Sequence, residues 1–214
     1  MTSPRLLKGG IVTVDPRSGR TLRTIALQYN PDSVKREVQV QAAGESGGDR
    51  SQALRLKGAA AETITLEAEI DATDRLEFPA EHRAAVEHGI HPDLAALETL
   101  VQPTSEALQA NDALARSGVL EVLPIEAPLT IFVWGADRVV PVRITTLSIT
   151  EDAFDAQLNP IRATVSLGMR VLTVDDLGFD HRGGSLFMAH LRSREAFARA
   201  SGSVPLSLLG IREV

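Results

Sequence analysis

The sequence predicts a mainly β protein, a β-barrel or two-sheet sandwich with a flanking helix and a C-terminal helical extension. Three observations carry this reading. Residues 62–70 alternate, with Ile64, Leu66, Ala68 and Ile70 on one face and Thr63, Thr65, Glu67 and Glu69 on the other. That two-residue period is the mark of a strand with one buried face. Residues 161–171 repeat it, setting Ile161, Ala163, Val165, Leu167, Met169 and Val171 against Arg162, Thr164, Ser166, Gly168 and Arg170. Between them, residues 129–160 read as an apolar strand, a tight turn, a long β-branched strand and an acidic loop closing on Asn159-Pro160.

Residues 11–14 form a short apolar run ended by Asp15-Pro16, and Arg17-Ser18-Gly19-Arg20 supplies turn chemistry before residues 22–29. Together these predict a β-hairpin. Asn30-Pro31-Asp32-Ser33 is a turn signal, because proline fixes φ and pushes Asn30 toward extended backbone. Val34, Val38 and Val40 predict another strand, with Lys35, Glu37 and Gln39 opposite. The glycine-rich stretch 42–51 reads as a mobile loop, and it lacks the lysine and hydroxyl of a phosphate-binding loop.

His91-Pro92-Asp93 opens a helix whose stripe is Leu94, Leu97, Leu100 and Val101, stopped by Pro103-Thr104. Residues 105–117 are compatible with a second helix, against which Asn111-Asp112 and Gly118 weigh. Pro124 and Pro128 bracket the entry to the next strand. Near the C-terminus, Ser185 is placed to cap a helix running to about Ala200, with Leu186, Phe187, Leu191 and Phe197 available for docking. The last residues, SVPLSLLGIREV, are apolar for a terminus, which favours burial or partner contact. The division is residues 1–172 as one β domain and 173–214 as a loop and helix extension.

Composition narrows the function. Net charge is −6, apolar content 43% and charged content 23%, which disfavours a general nucleic-acid surface and fits an ordinary globular chain. No cysteine is present, so disulfides and thiolate metal sites are excluded. The first residues lack the apolar core of a signal peptide. No apolar run approaches the ~20 residues of a membrane span. The expectation is synthesis and assembly in the cytoplasm, with later release as part of a particle left open.

Three clusters invite a chemical reading. His82, His88 and His91 lie near Glu81, Glu87 and Asp93. His88 and His91 are spaced to share a metal on a helix, but Gly89 and Pro92 break that helix and surface histidines are the plainer reading. Asp71 and Asp74 could act as paired carboxylates, although turn-capping by aspartate explains them equally simply. Asp175, Asp176, Asp180 and His181 gather in a glycine-rich loop without an activated nucleophile, and Gly183-Gly184-Ser185 does not match a nucleophile elbow. The expectation is no enzyme, no catalytic residue, no metal and no cofactor. Arg162 and Arg170, on the polar face of the last strand, are read as solvated or as inter-subunit ion-pair partners.

Several motifs in order resemble the tube-type proteins of contractile injection systems, the family related to phage tail-tube and baseplate adaptor proteins. They are Gln28-Tyr29-Asn30-Pro31, the strand ending in Asp71, Ile90-His91-Pro92-Asp93-Leu94, Phe132-Val133-Trp134-Gly135 and Asn159-Pro160-Ile161-Arg162-Ala163. The resemblance spans residues 6–172. It implies a β-barrel-like subunit repeated in a homo-oligomeric ring, a hexamer in such relatives, between central spike and inner tube. Implied partners are further copies, spike and inner-tube subunits, and baseplate wedge or sheath proteins, with no nucleic acid and no membrane span. Several relatives carry a glycan-binding LysM module, for which residues 173–214 are too short.

The function expected is therefore a structural hub or tube-initiator subunit. Gln28, Asn30, Pro31, Trp134, Asn159 and Arg162 are the positions expected to define fold or interface. The rivals are an inner-tube or tube-terminator subunit of the same particle, a carbohydrate-binding β-sandwich, and a metal-dependent hydrolase. Aromatic residues make up only 4% of the chain, which disfavours the carbohydrate platform.

Overall fold

Alternation in the sequence becomes alternation in burial. Strand β4 (Ala61–Asp71) buries Glu62, Ile64, Leu66 and Ala68 and exposes Thr63, Glu67 and Glu69. Strand β7 (Pro160–Val171) buries Ala163, Val165, Leu167, Met169 and Val171. The two pair antiparallel, so Ile64 faces Met169, Leu66 faces Leu167 and Ala68 faces Val165 across the ladder. Such rows of apolar pairs are what fix register when one face is buried. The structure is a computed structural model and describes residues 6–42, 55–117 and 127–212.

The other strands are β1 (Gly10–Val14), β2 (Thr21–Ala26), β3 (Val34–Gln39), β5 (Leu129–Val133) and β6 (Val139–Phe154). All seven form one antiparallel sheet in the order β2-β1-β5-β6-β7-β4-β3. The protein is mainly β, and the strands make a single sheet instead of two. That sheet curls on itself, because Ile11 of β1 and Phe132 of β5 share one core with Ile64, Leu66, Leu167 and Met169.

Four short helices fill the segment after β4: α1 (Thr73–Leu76), α2 (Arg83–His88), α3 (His91–Glu98) and α4 (Ser105–Arg116). Helix α3 starts at the expected His91-Pro92 and sends Leu94 and Leu97 into the core beside Ile90. Helix α4 forms where Asn111-Asp112 weighed against it. Thr104 caps it by accepting from the Ala107 amide at 3.2 Å, and Asp112–Arg116 adds an i,i+4 pair. None of its residues is buried.

After β7 come α5 (Val174–Leu177) and α6 (Arg182–Ala200). Helix α6 begins earlier than Ser185 suggests. His181 is the cap, its Nδ1 accepting from the Gly183 amide at 3.0 Å. Gly183 and Gly184 are buried, and a Cβ on Gly184 would lie 2.0 Å from the Gly178 carbonyl oxygen. The close approach of two backbones therefore sets the helix start. Phe187 enters the core, and Met188 and Leu191 pack against it. Burial of such a phenylalanine stabilises by roughly 1.5–3 kcal/mol. Phe197 and the tail residues Val204, Leu208 and Leu209 are exposed, so the apolar terminus is not buried on its own chain. The loop reading of 42–51, beyond Ala42, and the roles of Gly118 and Pro124 lie outside the described residues.

Candidate assembly surface and its clamps

The curled sheet is held shut by side-chain amides acting as peptide groups. Gln28, just past β2, accepts from the Asp71 amide through Oε1 at 3.0 Å and donates to the Asp71 carbonyl through Nε2 at 2.7 Å. A single side chain thereby imitates one rung of a β-ladder and ties the β2 end to the last residue of β4. Asn30 does the same on the other side. Its Oδ1 accepts from the Gly9 amide at 2.8 Å and its Nδ2 donates to the Leu7 carbonyl at 2.8 Å. Pro31, half-buried, follows in the turn toward β3.

Gly9 also seats Trp134. The indole stacks on Phe132, with ring centroids 6.0 Å apart, and a Cβ on Gly9 would meet it at 2.4 Å. Only glycine leaves room for the ring there. Asn30, Gly9 and Trp134 thus form one packed group, while Gln28, Asp71 and Arg162 form another.

In the second group Arg162 Nε donates to Asp71 Oδ2 at 2.8 Å. Asp71 Oδ1 accepts from the Thr73 amide at 2.7 Å and from the Thr73 hydroxyl. Burial pushes the Asp71 carboxyl up, but the Thr73 and Arg162 hydrogen bonds outweigh it and hold the group below its ordinary value. Asp71 is therefore a turn cap and a strand-end anchor. Arg162 and Arg170 both have partners within the chain, Arg162 in Asp71 and Arg170 in Asp176 at 2.8 Å. Spacing along one strand hides such partners, because Asp71 and Asp176 arrive from other elements.

Asn159 organises the turn between β6 and β7. Its Nδ2 donates to Asp155 Oδ2 at 2.8 Å, and Asp155 Oδ1 accepts from the Asn159 amide at 2.8 Å. These bonds from Asn159 lower the Asp155 carboxyl from its ordinary value. Leu158, at φ 67°, takes the left-handed position of this turn.

The histidines do not converge. His82 precedes α2, His88 ends it and His91 begins α3. Among the described residues no three His, Asp or Glu side chains are grouped to hold a metal. A cleft of about 660 Å³ opens between Leu22, Leu100, Pro103 and Pro128, with Arg23 as its only ionisable side chain among the described residues. No helix among the described residues is long and apolar enough to cross a membrane.

Strand β6 is paired unequally on its two sides. It pairs with β7 from Val142 to Phe154, but with β5 only from Val139 to Val142. Among the described residues, the β5-side edge of residues 143–154 has no backbone partner. At ~3.3 Å per residue this is about 40 Å of open ladder. A cleft of about 510 Å³ separates its residues 144–149 from Glu98, Val101 and Gln102. Among the described residues, the outer strands β2 and β3 each present a further unpaired edge. Sequence alternation did not expose this surface, because β6 was legible as a long strand while the shortness of its neighbour's pairing was not.

No family model matches this chain, and no curated protein matches it. Among solved structures it is similar to a chain from the virion of a native gene transfer agent particle. That likeness has 11% identity and a TM-score of 0.29, covering 76% of this chain and 90% of the other. A second likeness is to the tail of an empty particle of this type, described with C6 symmetry. There the identity is 12% and the TM-score 0.30, covering 77% and 90%. At these scores the superpositions are too loose to transfer architecture or role.

Proposed function

We propose that the chain is a structural subunit of a contractile, phage-tail-like injection apparatus, forming a ring that joins central spike to inner tube. The observation that carries the reading is that, among the described residues, one edge of β6 and the outer edges of β2 and β3 have no strand partner. An unpaired edge is an aggregation hazard in a monomer and an assembly template in a ring. Two different edges on one chain give a head-to-tail contact, which closes into a ring when the rotation per subunit divides a full turn. The family resemblance of residues 6–172 sets the expected ring at six copies. It also supplies the expected neighbours: spike, inner tube, and wedge or sheath proteins.

Other surfaces suit the same role. Helix α4 is folded yet wholly unburied, with Leu108 and Leu114 exposed. Phe154 and Leu158 are exposed at the β6–β7 tip, and Leu208 and Leu209 in the tail. The outer face of β4, β7 and β6 carries Thr65, Glu67, Glu69, Ser166, Thr164, Ser148 and Thr150. This hydroxyl- and carboxylate-rich face is suited to remain in water. In this reading Gln28, Asn30, Pro31 and Trp134 preserve the curl that presents the edges, and Asn159 and Arg162 hold the β6–β7 tip. Exposed Tyr29, Phe78, Phe154, Phe179 and Phe197 lie on five separate segments, which disfavours a glycan platform.

Co-expression with candidate spike and tube subunits, followed by electron microscopy, tests the proposal. A ring of this chain between spike and tube is the expected result. Density along the tube or at its far end would replace the hub role by the tube or terminator role. Failure to join either component would overturn both.

A further inference from the structure

The first residue of the buried β4 face is a carboxylate, Glu62, whose side chain is 7% exposed. Arg36 of β3 donates to its Oε1 at 2.5 Å and Arg194 of α6 to its Oε2 at 2.9 Å. A third guanidinium, Arg138 in the β5–β6 turn, is half-buried and lies within electrostatic reach of Arg36, Arg194 and Glu62. Arg138 has no ion-pair or hydrogen-bond partner for its side chain among the described residues. The adjacent Asp137 carboxylate forms no ion pair with any of the three arginines there.

His190, only 8% exposed, completes the group from α6. Its buried Nδ1 has no hydrogen-bond partner among the described residues. Arg36 Nη2 is also buried without a partner. Burial and then the Arg194 charge lower the imidazole from its ordinary value, so it is neutral near pH 7 and contributes no charge to the group. Among the described residues, three guanidiniums therefore face one carboxylate. Desolvated charge without a counter-charge is costly, and buried donors without acceptors cost more. Arg36 and Arg194 remain 27% and 41% exposed, which leaves the group open to solvent on one side.

We propose that Arg36, Arg138 and Arg194 form a binding site for an oxyanion, a carboxylate or phosphate group that supplies the missing negative charge. Guanidinium forks suit both groups, because each offers paired oxygens. The source is either a free anion or an acidic side chain of a second copy of this chain, whose net charge is −6. This inference stands independently of where the chain sits in a particle.

The test is thermal unfolding of the full chain in sodium phosphate and in sodium chloride at matched ionic strength and neutral pH. Phosphate is expected to raise Tm saturably, by about 5–11 °C at a hundred times its Kd, with no matching rise in chloride. Arg138→Gln removes a side chain without an intrachain bond and is expected to fold and lose the phosphate response. Should it not fold, Arg138→Lys keeps the charge without the fork and should raise the half-saturating phosphate concentration. An equal response to both salts, or an undiminished response in a folded Arg138 variant, would overturn the site. Sedimentation velocity separates the sources. If a second copy supplies the carboxylate, phosphate dissociates self-associated species and R138Q weakens association. If a free anion is the ligand, the Tm response stands while self-association ignores phosphate.

Discussion

The two ends of β4 solve the same problem differently. Each carries a carboxylate, Glu62 at one end and Asp71 at the other, about 30 Å apart at ~3.3 Å per residue. Every polar group of Asp71 is met within the chain: Arg162, which also pairs with Glu69 at 3.8 Å, and Thr73 answer its carboxylate, and Gln28 takes up its backbone amide and carbonyl. Glu62 sits in an unbalanced group, with Arg36 and Arg194 bonded, Arg138 near and the buried polar atoms of Arg36 and His190 unmet. The first arrangement is complete within the chain and serves the fold. The second retains capacity for something outside it. A carboxylate–arginine contact is therefore informative less by its distance than by whether the polar atoms around it are all met.

Substitutions can sharpen that contrast. The largest effect is expected for Glu62→Gln, which leaves three arginines facing a neutral amide. Unfolding in urea should show a loss of about 2–4 kcal/mol, near the lower range for breaking a buried ion pair because the arginines are partly solvated. Gln28→Ala removes both bonds to Asp71 and leaves those backbone groups to find water. A loss of about 2 kcal/mol is expected from two such bonds, read as a shift in the urea midpoint. Arg162→Ala should be the mildest, at roughly 0.2–1 kcal/mol, because the Arg162 side chain is 49% exposed. A ranking with Arg162→Ala as costly as Glu62→Gln would break the comparison.

Acid should act on both ends with the same sign. Burial raises Glu62, but Arg36 and Arg194 more than reverse it, so this carboxyl, like Asp71, binds its proton less readily folded than unfolded. Their stabilisation is present above the unfolded-chain values, and it is lost as pH falls from about 5 through the folded-state values. Glu62→Gln should accordingly differ most from the parent at pH 7, and the gap should close as pH falls through the depressed folded-state value of Glu62. Urea titrations at several pH values check this, and a gap that is independent of pH would contradict it.

Periodicity made much of this legible. Residues 62–70 and 161–171 alternate cleanly, and both become buried strands at that register. The same alternation places Glu62 on the face of Ile64 and Leu66, a charged residue at the head of an apolar row and a signal that the reading passed over. Likewise Phe187, His190, Leu191 and Arg194 follow helical spacing, which puts a histidine and an arginine on the docking face of α6. What could not be read was convergence, since Arg36, Glu62 and Arg194 come from β3, β4 and α6 and no local pattern joins them. Gln28 and Asn30 were legible as a motif but not as clamps, because their partners, Asp71, Leu7 and Gly9, are fixed only by the curl of the sheet.

The open edge of β6 is the feature on which the assembly role depends, and hydrogen exchange of the amides of residues 143–154 tests it most directly. In β6 alternate amides point toward β7 and toward the open side. In the free chain the open-side amides should exchange quickly and their neighbours slowly, and the open-side set should become protected when the chain joins its particle. Open-side amides already protected in the free chain, or still unprotected after assembly, would contradict the account.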